Sequence, residues 1–174
     1  MKSFDGSRLK VLVVEDNANF RQLIRTVLGA LGITQVVEAS DGQDGLDRLK
    51  DFSADLALVD WKMEPMDGLA FAQKIRHGPG SPNPFLPIIL LTGYVEGALM
   101  AEARDAGINE FVQKPISARS IVSHIVAAVS EPRPFVRSDD YFGPDRRRKR
   151  QPFSGEERRI QAPVLLLPPR RLEG

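Results

Sequence analysis

Five positions in this 174-residue chain carry side chains that could act together on one reaction: the pair Glu15 and Asp16, then Asp60, Thr92 and Lys114. Each closes a short run, VLVV before Glu15, LALV before Asp60, IILL before Thr92 and FVQ before Lys114. Three carboxylates gathered at one rim would repel and raise one another's proton affinity unless a cation shared the site. An all-oxygen donor set suits a hard ion such as Mg2+. A lysine one strand away adds a point charge suited to a phosphoryl group. Taken singly, Asp60 also fits a turn, Glu15 and Asp16 a loop or N-cap, Thr92 a helix cap and Lys114 a solvated charge. The joint reading is favoured because four of five apolar runs end in residues useful to the same phosphate chemistry.

The elements that must position these residues alternate along the chain. Apolar runs rich in Val, Ile and Leu at 9–16, 34–39, 54–60, 87–93 and 110–114 have the length and composition of strands buried on both faces. Between them, Phe20, Leu23, Ile24, Val27, Leu28 and Leu31 keep helical spacing, as do Leu69, Ala72 and Ile75. Helices are expected at about 18–31, 42–51, 67–77, 95–106 and 117–129, with Gly32, Gly78 and Gly107 at their C-termini. Five strands alternating with five helices imply an α/β doubly wound domain, a five-stranded parallel sheet with right-handed crossovers. Ligands of such sheets sit beyond the carboxyl ends of the strands, where the five polar residues stand. The Gly/Pro-rich stretch GPGSPNPF at 78–85 is expected to be a surface loop insertion.

Composition removes other chemistries. With no cysteine and only His77 and His124, the chain has no disulfide scaffold, no thiolate zinc site and no cysteine nucleophile, and a histidine-built triad is disfavoured. No run approaches the roughly 18 apolar residues of a membrane helix, and the first ten residues lack a secretory h-region, so a cytoplasmic location with no membrane partner is expected. SDGQDG at 40–45 lacks the three-glycine fingerprint and the Walker lysine, and Lys62 stands where a DxD phosphatase would place its second acid. The net charge of +1 hides two opposite imbalances: residues 1–130 hold 13 basic and 16 acidic side chains, residues 131–174 hold 11 and 7. Seven of the 13 prolines also lie after position 130. An acidic body at 8–130 is thus followed by a basic, proline-interrupted tail at 131–174 without a recognisable output domain.

Over about residues 10–129 the chain resembles the receiver domain of two-component response regulators. The resemblance rests on VLVVEDN, LVDWKMEPMDG, LLTGY and FVQKPI. Asp16 to Asp60 spans 44 residues and Thr92 to Lys114 spans 22, as is usual in the family, while the 32 from Asp60 to Thr92 are slightly long, as the 78–85 insertion would cause. It implies a flavodoxin-like fold of strand order 2-1-3-4-5 with an extended C-terminal tail. It implies that Asp60 is the phosphoacceptor and that Mg2+ is held by Asp16, Asp60, Glu15 through water, and the backbone carbonyl of Lys62. Lys114 and Thr92 would contact the phosphoryl oxygens, Phe111 would turn inward as the switch aromatic, and the bond to Pro115 would be cis. Phe111 also fits a plain strand aromatic, and Trp61 and Tyr94 flank the pocket either as gates or as packing. The protein would be a signalling phosphoacceptor rather than an enzyme on outside substrates, its partner a histidine kinase or histidine phosphotransfer protein.

The tail leaves three readings open. Its basic run, Arg146, Arg147, Arg148, Lys149 and Arg150, fits a solvated arm, a docking segment anchored by Phe135, Tyr141, Phe142 and Phe153, or a nucleic-acid contact to phosphate backbones. A homodimer through the helix 4, strand 5, helix 5 face or through tail exchange belongs to the same set. The alternative functions are a nucleic-acid-binding regulator using this run and a receiver-like scaffold that is never phosphorylated.

Overall fold

The computed structural model describes residues 6–93, 97–146 and 164–168. Five strands, β1 (Lys10–Val14), β2 (Gln35–Ala39), β3 (Leu56–Asp60), β4 (Ile88–Thr92) and β5 (Glu110–Gln113), alternate with five helices, α1 (Ala18–Ala30), α2 (Gly42–Asp51), α3 (Gly68–His77), α4 (Gly97–Asp105) and α5 (Ala118–Ser130). The sheet order is β2-β1-β3-β4-β5, every pair parallel. The expected doubly wound fold is therefore the observed one.

The pleat sorts each central strand between two cores. Val11 and Val13, Leu56 and Leu58, and Ile89 and Leu91 face α1 and α5, where Ile24, Leu28, Ile121 and Ile125 close one core. Leu12 and Val14, Ala57 and Val59, and Ile88 and Leu90 face α2, α3 and α4, where Leu49, Phe71, Ile75 and Ala103 close the other. Side chains alternating at a period of two, apolar on both faces, force helices onto both sides. Each fully buried aliphatic contributes about 1.5–3 kcal/mol, which locks the register. The edge strands differ from expectation: β2 and β5 are half-exposed, because an edge has neighbours on one side only.

Helix starts follow local chemistry. Asn17, Asp41, Asp67 and Ser117 cap α1, α2, α3 and α5 by accepting bonds from the first free amides. Asp67 and Ser117, expected as first helical residues, are caps instead. Gly32 (φ 77°) and Gly107 (φ 87°) take the left-handed conformation after α1 and α4, whereas Gly78 ends α3 with extended backbone.

The C-terminal extension holds three further strands, β6 (Phe135–Ser138), β7 (Tyr141–Pro144) and β8 (Val164–Leu166), in an antiparallel sheet of order β7-β6-β8. It lies against the receiver body rather than in solvent. Phe135 and Phe142 are buried and meet Phe85 of the 78–85 loop with ring centroids 5.0 and 5.2 Å away. Beneath them Arg76 is buried without a carboxylate partner among the described residues; it donates to the carbonyls of Gly107 and Pro84 and to Asn109 Oδ1. Its guanidinium carbon stands 5.1 Å from the Phe135 ring centre. Burial pulls Arg76 down to about 9, so it stays a cation at neutral pH. The insertion expected to be a plain surface loop is thus the seat of the tail. Phe153 and the run 147–150 lie outside the described residues.

Candidate functional site

The sheet brings three carboxylates to one point. Asp60 is the last residue of β3, and Glu15 and Asp16 follow β1 directly, β1 and β3 being neighbours. Carboxylate oxygens of Glu15, Asp16 and Asp60 lie within 4.8 Å of one another. Glu15 and Asp60 are buried and Asp16 is exposed, so the cluster opens to solvent on one side.

Lys114 is the counter-charge. Its Nζ stands 2.9 Å from Glu15 Oε2 and 2.7 Å from Asp60 Oδ1. Burial pushes the Glu15 carboxyl up from its usual range; the bond from Lys114 opposes that, and the Asp60 charge adds to it. Burial alone would lower Lys114, but its bonds to Asp60 and Glu15 outweigh it and leave the ammonium above the ordinary lysine value. One cation against three carboxylates leaves the cluster with surplus negative charge, which a divalent ion with oxygen preference would balance. The donor set therefore fits Mg2+, with Glu15, Asp16 and Asp60 as the residues that could hold it.

Thr92 ends β4 at 1% exposure, and its carbonyl accepts the Lys114 amide at 2.8 Å. Phe111 on β5 pairs in register with Leu90, two residues before Thr92 on the same side of β4, and packs against the α2, α3, α4 core. Lys62 lies two residues past Asp60 with its side chain exposed. The Lys114–Pro115 bond is cis, as the resemblance implies, and so is Glu64–Pro65 in the loop before α3. Trp61 is 7% exposed beside Asp60, part of the core; Tyr94 lies outside the described residues. Arg146 is remote from the cluster, paired with Asp105 of α4.

Two residues serve the cluster in ways the sequence did not reveal, Arg21 and Phe20, the latter legible only as part of the α1 apolar stripe. Arg21 donates through NH1 to the carbonyls of Glu15 (2.6 Å) and Asp16 (3.2 Å) while its Nε meets Glu38 of β2, which also binds Arg25. This grip fixes the loop that carries the acidic pair. Phe20 lies under the Lys114 ammonium, 4.3 Å from Nζ to the ring centre. Both sit in the first turn of α1, where an aromatic at helical spacing reads as core. Their nearness to the acidic pair along the chain was the only available signal.

Residues 11–126 match the sequence profile of the response regulator receiver domain. The chain belongs to that family. It is 29% identical over 121 residues to the chemotaxis protein CheY-3 of Vibrio cholerae serotype O1, covering 70% of this chain and 92% of the relative. It is 31% identical over 117 residues to CheY of Pseudomonas aeruginosa, covering 67% and 93%. Among solved structures, Vibrio cholerae CheY4 superposes with a TM-score of 0.63 at 26% identity, over 67% of this chain and 95% of that one. CheY in the CheX-CheY-BeF3-Mg+2 complex from Borrelia burgdorferi shares the fold at a TM-score of 0.62 and 18% identity, over 69% and 88%. Receiver domains of CheY type are signalling proteins and not classical enzymes, as expected for this chain. Among the described residues no helix is long and apolar enough to cross a membrane. The family match ends within α5, so the strands after Ser130 lie outside the matched receiver domain.

Proposed function

We propose that the protein is a cytoplasmic phosphorelay response regulator that accepts a phosphoryl group on Asp60 from a histidine kinase or a histidine phosphotransfer protein. The observation that carries this reading is Lys114 reaching both Asp60 and Glu15 with Asp16 alongside, so that a nucleophile, a cation seat and a phosphoryl counter-charge share one rim. An Asp60 carboxylate oxygen attacks phosphorus in line. The bond from phosphorus to the donor imidazole breaks, and that nitrogen keeps the electron pair and takes up a proton. Asp16, Asp60, Glu15 and the Lys62 backbone carbonyl would hold Mg2+, which would supply positive charge to the phosphoryl oxygens. Lys114 pairs with one oxygen of the acyl phosphate and the Thr92 hydroxyl donates to another. Drawing Thr92 toward the phosphoryl group vacates space on the face it shares with Phe111, which biases the protein between two packings.

The test is labelling by a small phosphodonor such as acetyl phosphate. Labelling should require Mg2+ and vanish in Asp60→Ala; undiminished labelling of that variant would overturn the assignment. Failure of beryllofluoride with Mg2+ to perturb NMR shifts near Thr92 would favour an unphosphorylated scaffold. Arg146 pairs with Asp105 at the C-terminal end of α4, so a dimer through the α4, β5, α5 face would form beside the tail. Nucleic-acid binding by the basic run is the weaker reading, since Arg146 is already engaged on α4.

A further inference from the structure

The hairpin of β6 and β7 grips the receiver through two unequal halves. One half is a closed aromatic seat. Phe85, Phe135 and Phe142 pack with centroids 5.0–5.4 Å apart over buried Arg76. Gly143 also comes so close to Gly107 that an added Cβ would lie 3.0 Å from the Gly107 Cα. The other half is lighter and ends in an exposed ion pair. Arg146 covers the Tyr141 ring at 4.0 Å and pairs with Asp105 at 2.9 Å, with side-chain exposures of 47% and 63%. The Asp145 amide donates to the Pro134 carbonyl at 2.7 Å, and Arg133 reaches both the Asn109 and Asp145 carbonyls.

This lighter half shares a wall with the switch position. Tyr141, Pro144, Arg133 and Arg146 from the extension and Arg104 of α4, Ile108 of the loop that follows and Phe111 of β5 line one cavity of about 10 Å3, the space of a single water. Phe111 therefore touches the volume under the tail on one side and the Thr92 face of the sheet on the other. A ring that leaves such a wall cannot be replaced by neighbours already tied to backbone carbonyls, so the contact loosens rather than repacks.

We propose that the extension is the read-out of the receiver: the Arg146 end of the hairpin is held down on α4 and β5 while Asp60 is unmodified, and lifts when phosphorylation draws Phe111 toward Thr92. The inference rests on the function proposed above. The aromatic seat stays in place as the pivot, because burial of Phe135 and Phe142 outweighs an exposed ion pair and one stacked guanidinium. What changes is the presentation of Arg146, the first residue of the basic run, so the partner of the active state is one that meets the lifted segment and not the bare receiver face.

The full-length protein supplies both readouts. Trp61, the sole tryptophan, sits beside Asp60 and reports occupation of the site through its fluorescence. NMR hydrogen exchange of the Asp145 amide reports the hairpin end, with the Ile88 amide, held by Asn109, as the control. Adding beryllofluoride and Mg2+ should change Trp61 fluorescence and speed Asp145 exchange about tenfold while Ile88 stays unchanged. Asp105→Asn, an exposed change that leaves the fold intact, should show the faster Asp145 exchange before any addition and keep the Trp61 response. A Trp61 response with unchanged Asp145 exchange overturns the read-out and leaves the phosphoacceptor reading standing. No response at either position overturns both.

Discussion

Gly68, the first residue of α3, lies directly behind the phosphoacceptor, and replacing it with alanine is the most exacting probe of the site's geometry. An added Cβ would meet the Asp60 carbonyl oxygen at 2.3 Å, the Asp60 carbonyl carbon at 3.2 Å and Leu90 Cδ1 at 3.0 Å, where ordinary contact begins at 3.4 Å. Backbone cannot rotate away as a side chain can, so β3 or the start of α3 must move by about 1 Å, an overpacking cost of about 1–3 kcal/mol. That movement also breaks the buried bond from the Gly68 amide to the Trp61 carbonyl at 2.8 Å, adding about 1–2 kcal/mol. Gly68→Ala should therefore lower the unfolding free energy by about 3 kcal/mol, measured by urea titration followed through Trp61 fluorescence. Phosphodonor labelling should fall about 100-fold, the usual consequence of a 1 Å misplacement at a reacting centre. Gly29→Ala is the matched control: it is helical in α1 with nothing within 4 Å of the added Cβ apart from its own helix backbone and chain neighbours, and should stabilise by about 0.5–1 kcal/mol. Wild-type stability and labelling in Gly68→Ala would refute the placement of α3 against Asp60.

Phe142→Ala should cost about 2–3 kcal/mol in the same titration, less than a closed-core phenylalanine because the hairpin can settle into the gap, and a loss below about 1 kcal/mol would mean the extension adds little to the fold. Arg76→Lys should cost about 2 kcal/mol, since one ammonium cannot reach the Gly107 and Pro84 carbonyls and Asn109 Oδ1 together; an unchanged midpoint would refute that. Mg2+ should quench or enhance Trp61 fluorescence in the wild type and lose that effect in Asp16→Asn, whereas Asp145→Asn, at the tail, should leave the titration unchanged.

The receiver body was legible because its signals are local and redundant. Val11 to Val14, Ala57 to Val59 and Ile88 to Leu91 are buried on both faces, so the strands read as unbroken apolar runs, and the residues that end them are placed by topology alone. The edge strands β2 and β5 keep Val or Phe at their centres but carry Gln35, Glu38, Glu110 and Gln113, the polar mark of strands that have a neighbour on one side only. The roles of Arg21 and Phe20 at the cluster, by contrast, are hidden. Arg21 works through backbone carbonyls, which leave no mark on the sequence of their owners, and Phe20 meets Lys114 across 94 residues of chain.

The extension was hidden by its composition. Proline and arginine at this density argue for a solvated arm, and they do so because an isolated hairpin of eight strand residues cannot bury enough surface to order itself. What reverses the balance is a partner surface prepared elsewhere in the chain: Phe85 on the 78–85 insertion, Arg76 at the end of α3, and Gly107 left bare after α4. Gly107 also ends α4 in the left-handed conformation and Arg76 also steadies Asn109, which holds the Ile88 amide, but none of the three belongs to the carboxylate cluster. Arg76 in particular is an expensive residue to bury, and a leucine there would serve the core as well, but a leucine would leave the carbonyls of Gly107 and Pro84 unpaired under the hairpin. The insertion, the buried arginine and the aromatic tail thus make sense only together, which places the extension within the receiver's own folding unit and its Arg146 end, the least buried part of that contact, where a small change at Phe111 can be felt.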